Sequence, residues 1–80
     1  MNPALESVLP LPDYKLQIHF KNGEKKLFDV TPFLDKGIFK ELKEQSYFKS
    51  VKLDFSSVEW PNEQDFSKDS LYLLGVSQST

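Results

Sequence analysis

Tyr14-Lys-Leu-Gln-Ile-His-Phe20, then Lys21-Asn22-Gly23, then Glu24-Lys-Lys-Leu-Phe-Asp-Val30 reads as one β-hairpin: two strands and the turn that joins them. Its register follows from which side chains must share a face. A two-residue Asn22-Gly23 loop would pair Phe20 with Lys25 and turn Phe28 and Val30 away from Leu16 and Ile18. A three-residue loop, Lys21 to Gly23, pairs Phe20 with Glu24, Leu16 with Phe28 and Tyr14 with Val30. Every large apolar residue except Leu27 then lies on one face, and Lys15 stands opposite Asp29 on the other. A slip of one residue would reverse every side chain, so the pattern selects the odd loop: a type I turn closed by a left-handed Gly23 in a bulge.

The hairpin belongs to a chain of 80 residues, the size of one domain, with eleven aromatic residues to build its core. There is no cysteine, so disulfides, thiolate nucleophiles and cysteine-based zinc sites are excluded. The first twelve residues hold Pro3, Pro10 and Pro12 and no basic residue, which is not the pattern of a signal peptide, and no apolar run has membrane-spanning length. The expected location is the cytoplasm, with no membrane association. Charge is unevenly placed: residues 1–53 carry nine Lys against seven acids, whereas residues 54–80 carry Lys68 against five acids, a balance of −4. Arginine is absent, and with it the bidentate recognition of guanine and phosphate that nucleic-acid binders favour.

Around the hairpin, Leu5–Pro10 reads as a lead-in strand, with proline suited to a sheet edge. Thr31-Pro32 predicts a helix start with a hydroxyl cap, and Gly37 its left-handed terminator. Ile38–Glu44 predicts a second short helix with Ile38 and Leu42 one turn apart, and Tyr47-Phe48 a further turn. Val51–Phe55 and Val58–Trp60 alternate as a second hairpin around Ser56-Ser57, which pairs Phe55 with Val58 and Leu53 with Trp60. Ser67 predicts the cap of a last helix through Leu71 and Leu74, closed by Gly75, and Val76–Thr80 reads as a frayed tail. The expected product is a single α+β domain over residues 1–75, an antiparallel sheet of two hairpins and a lead-in strand with short helices between the hairpins and at the C-terminus. Its core is predicted to be Leu16, Ile18, Phe20, Phe28, Val30, Phe39, Leu42, Phe48, Leu53, Phe55, Val58 and Trp60.

Chemistry-bearing patterns are sparse. The one histidine, His19, falls on the polar face opposite Lys25, with no carboxylate to orient it as a general base. Asn62, Glu63 and Asp65 are oxygen donors at short spacing, but the glycine and the final glutamate of a calcium loop are missing. Ser56-Ser57 has no histidine partner, and Gly23, Gly37 and Gly75 are too far apart for a phosphate loop. The lysines from Lys36 to Lys52 are interleaved with Glu41 and Glu44, the pattern of a solvated face. No catalytic residue, metal ligand or cofactor is expected, and nucleic-acid binding stands as the weaker alternative to protein recognition.

Pro10–Tyr14, the Asn22-Gly23-Glu24 turn, Phe28-Asp-Val-Thr-Pro32, Gly37–Lys43, Tyr47-Phe48, Val58-Glu-Trp-Pro-Asn62, Asp65 and Leu71-Tyr72 together resemble the bacterial domain-of-unknown-function family numbered 2442. The resemblance runs from Leu5 to Tyr72. The position after Asn62, often glycine in such domains, is Glu63 here. What the resemblance implies is a small α+β domain with no catalytic residues to carry over. Some relatives look like the front half of helix-turn-helix proteins, and others are free-standing and encoded beside a second small protein, as in toxin–antitoxin-like pairs. The sequence stops at Thr80 without a helix-turn-helix, so the free-standing form is the one expected. The functional expectation is a non-catalytic protein-interaction or regulatory domain, its partner a small protein encoded nearby, with self-association open as well. Asn62, Asp65 and Tyr72, in the acidic stretch from Glu59 to Tyr72, are the candidate binding residues for a basic partner.

Overall fold

The alternation in the first hairpin produces the register it predicts. The computed structural model describes residues 2–54 and 56–78. Its first three strands are β1 (Leu5–Leu11), β2 (Lys15–Phe20) and β3 (Lys25–Asp29). Leu16 stands opposite Phe28, Lys15 opposite Asp29 and His19 opposite Lys25. The turn is closed by Gly23 N–H donating to Phe20 O at 3.0 Å and Phe20 N–H donating to Glu24 O at 2.9 Å. Gly23 has φ +93°, the left-handed region that glycine enters without a Cβ penalty. β1 pairs antiparallel with β2, Val8 opposite Ile18 and Pro10 opposite Leu16. Pro10 thus sits on an edge strand, where its missing N–H is tolerated.

The second hairpin forms with a shifted register. β4 (Lys52–Leu53) and β5 (Ser57–Glu59) place Leu53 opposite Val58 rather than Trp60, and Asp54 N–H donates to Ser57 O at 2.8 Å. The shift is of two residues, and because side chains alternate with period two, Leu53 and Val58 keep the shared face that was expected of them. Phe55, predicted to pair with Val58, lies outside the described residues. Trp60 instead opens a third hairpin to β6 (Asp65–Ser67), with Val58 opposite Phe66. Its turn repeats the first one: Glu63 N–H donates to Trp60 O at 3.1 Å and Trp60 N–H to Gln64 O at 2.9 Å. Glu63 takes the place of Gly23 and has φ +75°.

α2 (Lys68–Leu74) follows, capped as predicted by Ser67, whose side chain accepts from Ser70 N–H, with Asp69 in its first turn. Of the stretch expected to fray, Val76–Ser77 forms β7, with Val76 paired to Leu27 and Gln78 N–H donating to Lys25 O at 2.9 Å, and Ser79 and Thr80 lie outside the described residues. Tertiary placement is the reason, since α2 delivers the chain to the open side of β3. Gly75 makes the approach feasible, because a Cβ there would stand 2.4 Å from the Leu71 carbonyl oxygen. The α+β class is as expected, and the antiparallel strands divide into two sheets, ordered β1-β2-β3-β7 and β4-β5-β6.

The segment between β3 and β4 is mostly 3₁₀, over Thr31–Phe33 and Gly37–Lys43, before the single turn of α1 (Gln45–Phe48). Thr31 is not a hydroxyl cap; Asp29 Oδ1 accepts the Thr31 N–H at 3.0 Å instead. Gly37 is left-handed as predicted, φ +49°. With three residues per turn, Ile38 and Leu42 point about 120° apart rather than stacking one α-turn apart. Leu42 is accordingly buried and Ile38 is 58% exposed.

Leu16, Ile18, Phe20, Phe28, Val30, Leu42, Phe48, Val58 and Trp60 are buried as predicted, joined by Leu5, Leu34, Phe66 and Leu71. Phe39 and Leu53, also predicted as core, are only half-buried, one on a 3₁₀ turn and the other on a two-residue edge strand. Phe66 is the hub of the aromatic packing, with the rings of Phe28, Phe33, Phe39 and Trp60 centred 4.9–6.0 Å from its own. The Trp60 indole N–H donates to Phe48 O at 2.9 Å, so its one polar atom is satisfied inside the core.

Candidate functional site

Three groupings of side chains stand out, and the expected binding residues fall into two of them. The first is a polar network beneath the Trp60–Gln64 turn. Gln64 is fully buried, yet its amide is saturated: Oε1 accepts from the Tyr47 hydroxyl at 2.7 Å, and Nε2 donates to Ile38 O at 2.8 Å and Glu41 Oε1 at 3.0 Å. Asn62 joins from the surface, its N–H donating to the Tyr47 hydroxyl at 2.8 Å and its side-chain amide to Glu41 Oε2 at 2.7 Å. Asn62 is thereby spent on tying this turn to the Gly37–Lys43 segment. Asp65 lies exposed in the same hairpin, opposite Glu59. Gln64 was not singled out by sequence reasoning; a glutamine between two acidic residues in a polar stretch has no signal of burial.

Tyr72 belongs elsewhere, over the end of the first hairpin, and shares no partner with Asn62 or Asp65. Its ring packs edge-on against Phe20, centroids 5.2 Å apart, and its hydroxyl donates to Glu24 Oε1 at 2.8 Å. Lys26 crosses the ring with Nζ 3.8 Å from the centroid and donates to the Tyr72 carbonyl. The Tyr72 hydrogen bond, aided by Asn22 and the Lys26 charge, holds the Glu24 carboxyl below its ordinary value of 4.5 against a small opposing effect of burial. The same bond, with burial and the Glu24 charge, pushes the Tyr72 phenol above 10.0. These contacts clamp α2 to the sheet and occupy the polar atoms that a ligand would need. A comparable docking explains the Pro10–Tyr14 motif: Tyr14, at φ +60°, donates its hydroxyl to Lys43 O and packs edge-on against Phe48, while Gln45 Nε2 donates to Pro12 O.

The third grouping is apolar and open. Where α2 passes into β7, Leu27, Phe28, Pro32, Phe33, Leu74 and Val76 line a cleft of about 440 Å³, and the cross-strand pair Lys15 and Asp29 completes its walls. Burial raises the Asp29 pKa, but hydrogen bonding from Thr31 and the charge of Lys15 outweigh it, and the net shift is downward. Leu74, at the end of α2, is 61% exposed, Leu73 beside it 71% and Val76 69%. From the cleft a row of side chains crosses the outward face of the larger sheet, Val76 beside Leu27, then the polar Gln17, then Leu9, which is 53% exposed. Leu73, Leu74 and Val76 were legible as apolar residues, but only the tertiary structure reveals that all three are exposed and that Leu74 and Val76 line one cleft. Among the described residues no three His, Cys, Asp or Glu side chains gather as a metal site, and no helix is long and apolar enough to cross a membrane.

Two small antiparallel sheets joined by 3₁₀ turns, with a single short helix clamped to the larger one, define a compact class of α+β domain. The chain belongs to the family described as protein of unknown function DUF2442, whose profile matches residues 5–77. No curated protein and no solved structure matches it.

Proposed function

We propose that this domain works by recognising another protein, without chemistry of its own, and that it does so through the cleft between α2, β7 and β3. The observation that carries this reading is that Leu74 and Val76, each more than three-fifths exposed, line a cleft whose other walls are largely apolar. Contiguous apolar surface on so small a domain costs solubility and is retained where a partner covers it. The acidic stretch from Glu59 to Tyr72 supports recognition only indirectly. Its Asn62 and Tyr72 are engaged within the domain, which leaves long-range attraction of a basic partner as its contribution. The partner fitting this reading is a small protein encoded nearby, in a regulatory or toxin–antitoxin-like pair.

Co-expression of the full chain with the product of each adjacent gene, followed by affinity capture, tests the proposal. Co-purification that is lost in Leu74→Asp and kept in Asn62→Ala is the expected result. Co-purification that survives Leu74→Asp, or the failure of every neighbouring product to co-purify, overturns it.

A further inference from the structure

Asparagine stands at three positions in the chain, and one of them is placed to react with its own backbone. Asn2 is followed by Pro3, which has no N–H, and Asn62 by Glu63, whose side chain crowds the peptide nitrogen. Asn62 is anchored as well, its N–H on the Tyr47 hydroxyl and its amide on Glu41. Asn22 instead precedes Gly23 in an exposed turn, where no Cβ shields the nitrogen. That nitrogen, on losing its proton to hydroxide, can attack Asn22 Cγ. The new N–C bond closes a succinimide ring while the Cγ–Nδ2 bond breaks, and ammonia leaves with a proton from water. Water then opens the ring at either carbonyl, giving aspartate or isoaspartate with no change of oxidation state. The folded turn slows the reaction. Gly23 N–H is held by Phe20 O at 3.0 Å, Asn22 Oδ1 accepts from Glu24 N–H at 3.0 Å, and Asn22 Nδ2 donates to Glu24 Oε1 at 2.6 Å. Attack requires the nitrogen to leave Phe20 and the amide to turn away from Glu24.

The consequence lies in what Glu24 holds. Its Oε1 accepts from Asn22 Nδ2 and also from the Tyr72 hydroxyl, the bond that clamps α2 to the first hairpin. After conversion a carboxylate stands where the amide donated, and two like charges face each other across a hydrogen-bond distance. Lys26, whose charge acts on Glu24, is already engaged by the ring and carbonyl of Tyr72. The repulsion is relieved when Glu24 swings away, which withdraws the acceptor from Tyr72. In the isoaspartate product the main chain is also longer by one atom, which displaces the two bonds that close the turn. We propose that Asn22 is a deamidation site, and that its conversion to a carboxylate releases the Tyr72–Glu24 clamp and loosens α2 and β7. The modification is independent of what binds the apolar cleft.

The full chain, incubated in warm neutral buffer beside a synthetic His19–Lys25 peptide, is digested at intervals for mass spectrometry, which reads NH2 replaced by OH. Conversion at Asn22, slower than in the peptide, is the expected result, with Asn2 and Asn62 intact. An intact Asn22 after several half-lives of the peptide, or equal conversion at Asn62, overturns the site. Asn22→Asp supplies the aspartate product in uniform form for amide hydrogen exchange followed by NMR, with circular dichroism to establish that it is folded. The reporters are Gly75 N–H, bound to Leu71 O, and Gln78 N–H, bound to Lys25 O. Both are expected to exchange roughly three- to tenfold faster than in the wild type, the loss of one hydrogen bond to a charged group reduced by solvent screening. Lys21→Gln makes the same change in net charge at the neighbouring exposed residue and is expected to leave both rates unchanged. Unaltered exchange in Asn22→Asp, or equal acceleration in Lys21→Gln, overturns the coupling to α2.

Discussion

Replacing Glu63 with glycine is expected to stabilise the domain. Glu63 occupies the left-handed position of a turn whose two closing hydrogen bonds reproduce those around Gly23, with φ +75° against +93°. A side chain in that conformation costs roughly 1–2 kcal/mol, because Cβ crowds the following carbonyl. Glycine would remove that cost and add about 0.5–1 kcal/mol of backbone entropy lost on folding. The difference is a gain of about 0.5–1 kcal/mol, which for a domain of this size raises Tm by roughly 2–8 °C. The Glu63 carboxylate makes no hydrogen bond with a described residue, so little is forfeited. Removing one charge from the acidic segment is a separate effect, and Glu63→Gln measures it alone. Thermal and urea denaturation of the wild type, Glu63→Gly and Glu63→Gln distinguish the two. If Glu63→Gly is no more stable than Glu63→Gln, backbone strain at this turn is not what limits stability, and the likeness between the two turns is only geometric.

Gln64→Leu should destabilise by about 2–4 kcal/mol in urea titrations despite its apolar character, since it strands the Ile38 carbonyl and unpairs Tyr47 and Glu41 at a buried site. Gly75→Ala should cost about 1–3 kcal/mol by forcing a methyl group toward the rigid Leu71 carbonyl, and hydrogen exchange should show the loss first at β7. Tyr72→Phe should remove a pH-dependent part of the stability. Because the folded pKa of Glu24 lies below 4.5, its bond to Tyr72 contributes fully above that value and is lost as the pH falls through the lower folded pKa. The raised pKa of Tyr72 acts at the other end, its contribution being complete below pH 10.0 and lost as the pH rises through the higher folded value. Tm measured against pH should therefore show wild type and Tyr72→Phe converging at both the acidic and the alkaline extreme; parallel curves would refute the assignment.

Local pattern by itself determined the first hairpin. Strict alternation through Leu16, Ile18 and Phe20, against Phe28 and Val30, admits one register, and Gly23 admits one turn, so nothing distant was needed to pair Lys15 with Asp29. The same holds for the Ser67 cap and for most of the core. The type of the Trp60–Gln64 turn was not legible because its left-handed position holds glutamate, and the turn is held by bonds of the neighbouring Asn62 and Gln64 to Tyr47 and Glu41. Burial of Gln64 depends likewise on partners up to 26 residues away in the chain. Only the tertiary structure decided the division into two sheets, because the strands of the second are two or three residues long and each pairing is worth little until Phe66 locks it to the aromatic core. Only the tertiary structure turned Leu74 and Val76 outward, since the clamp of Tyr72 by Glu24 and Lys26 orients the whole of α2 and leaves these two side chains uncovered.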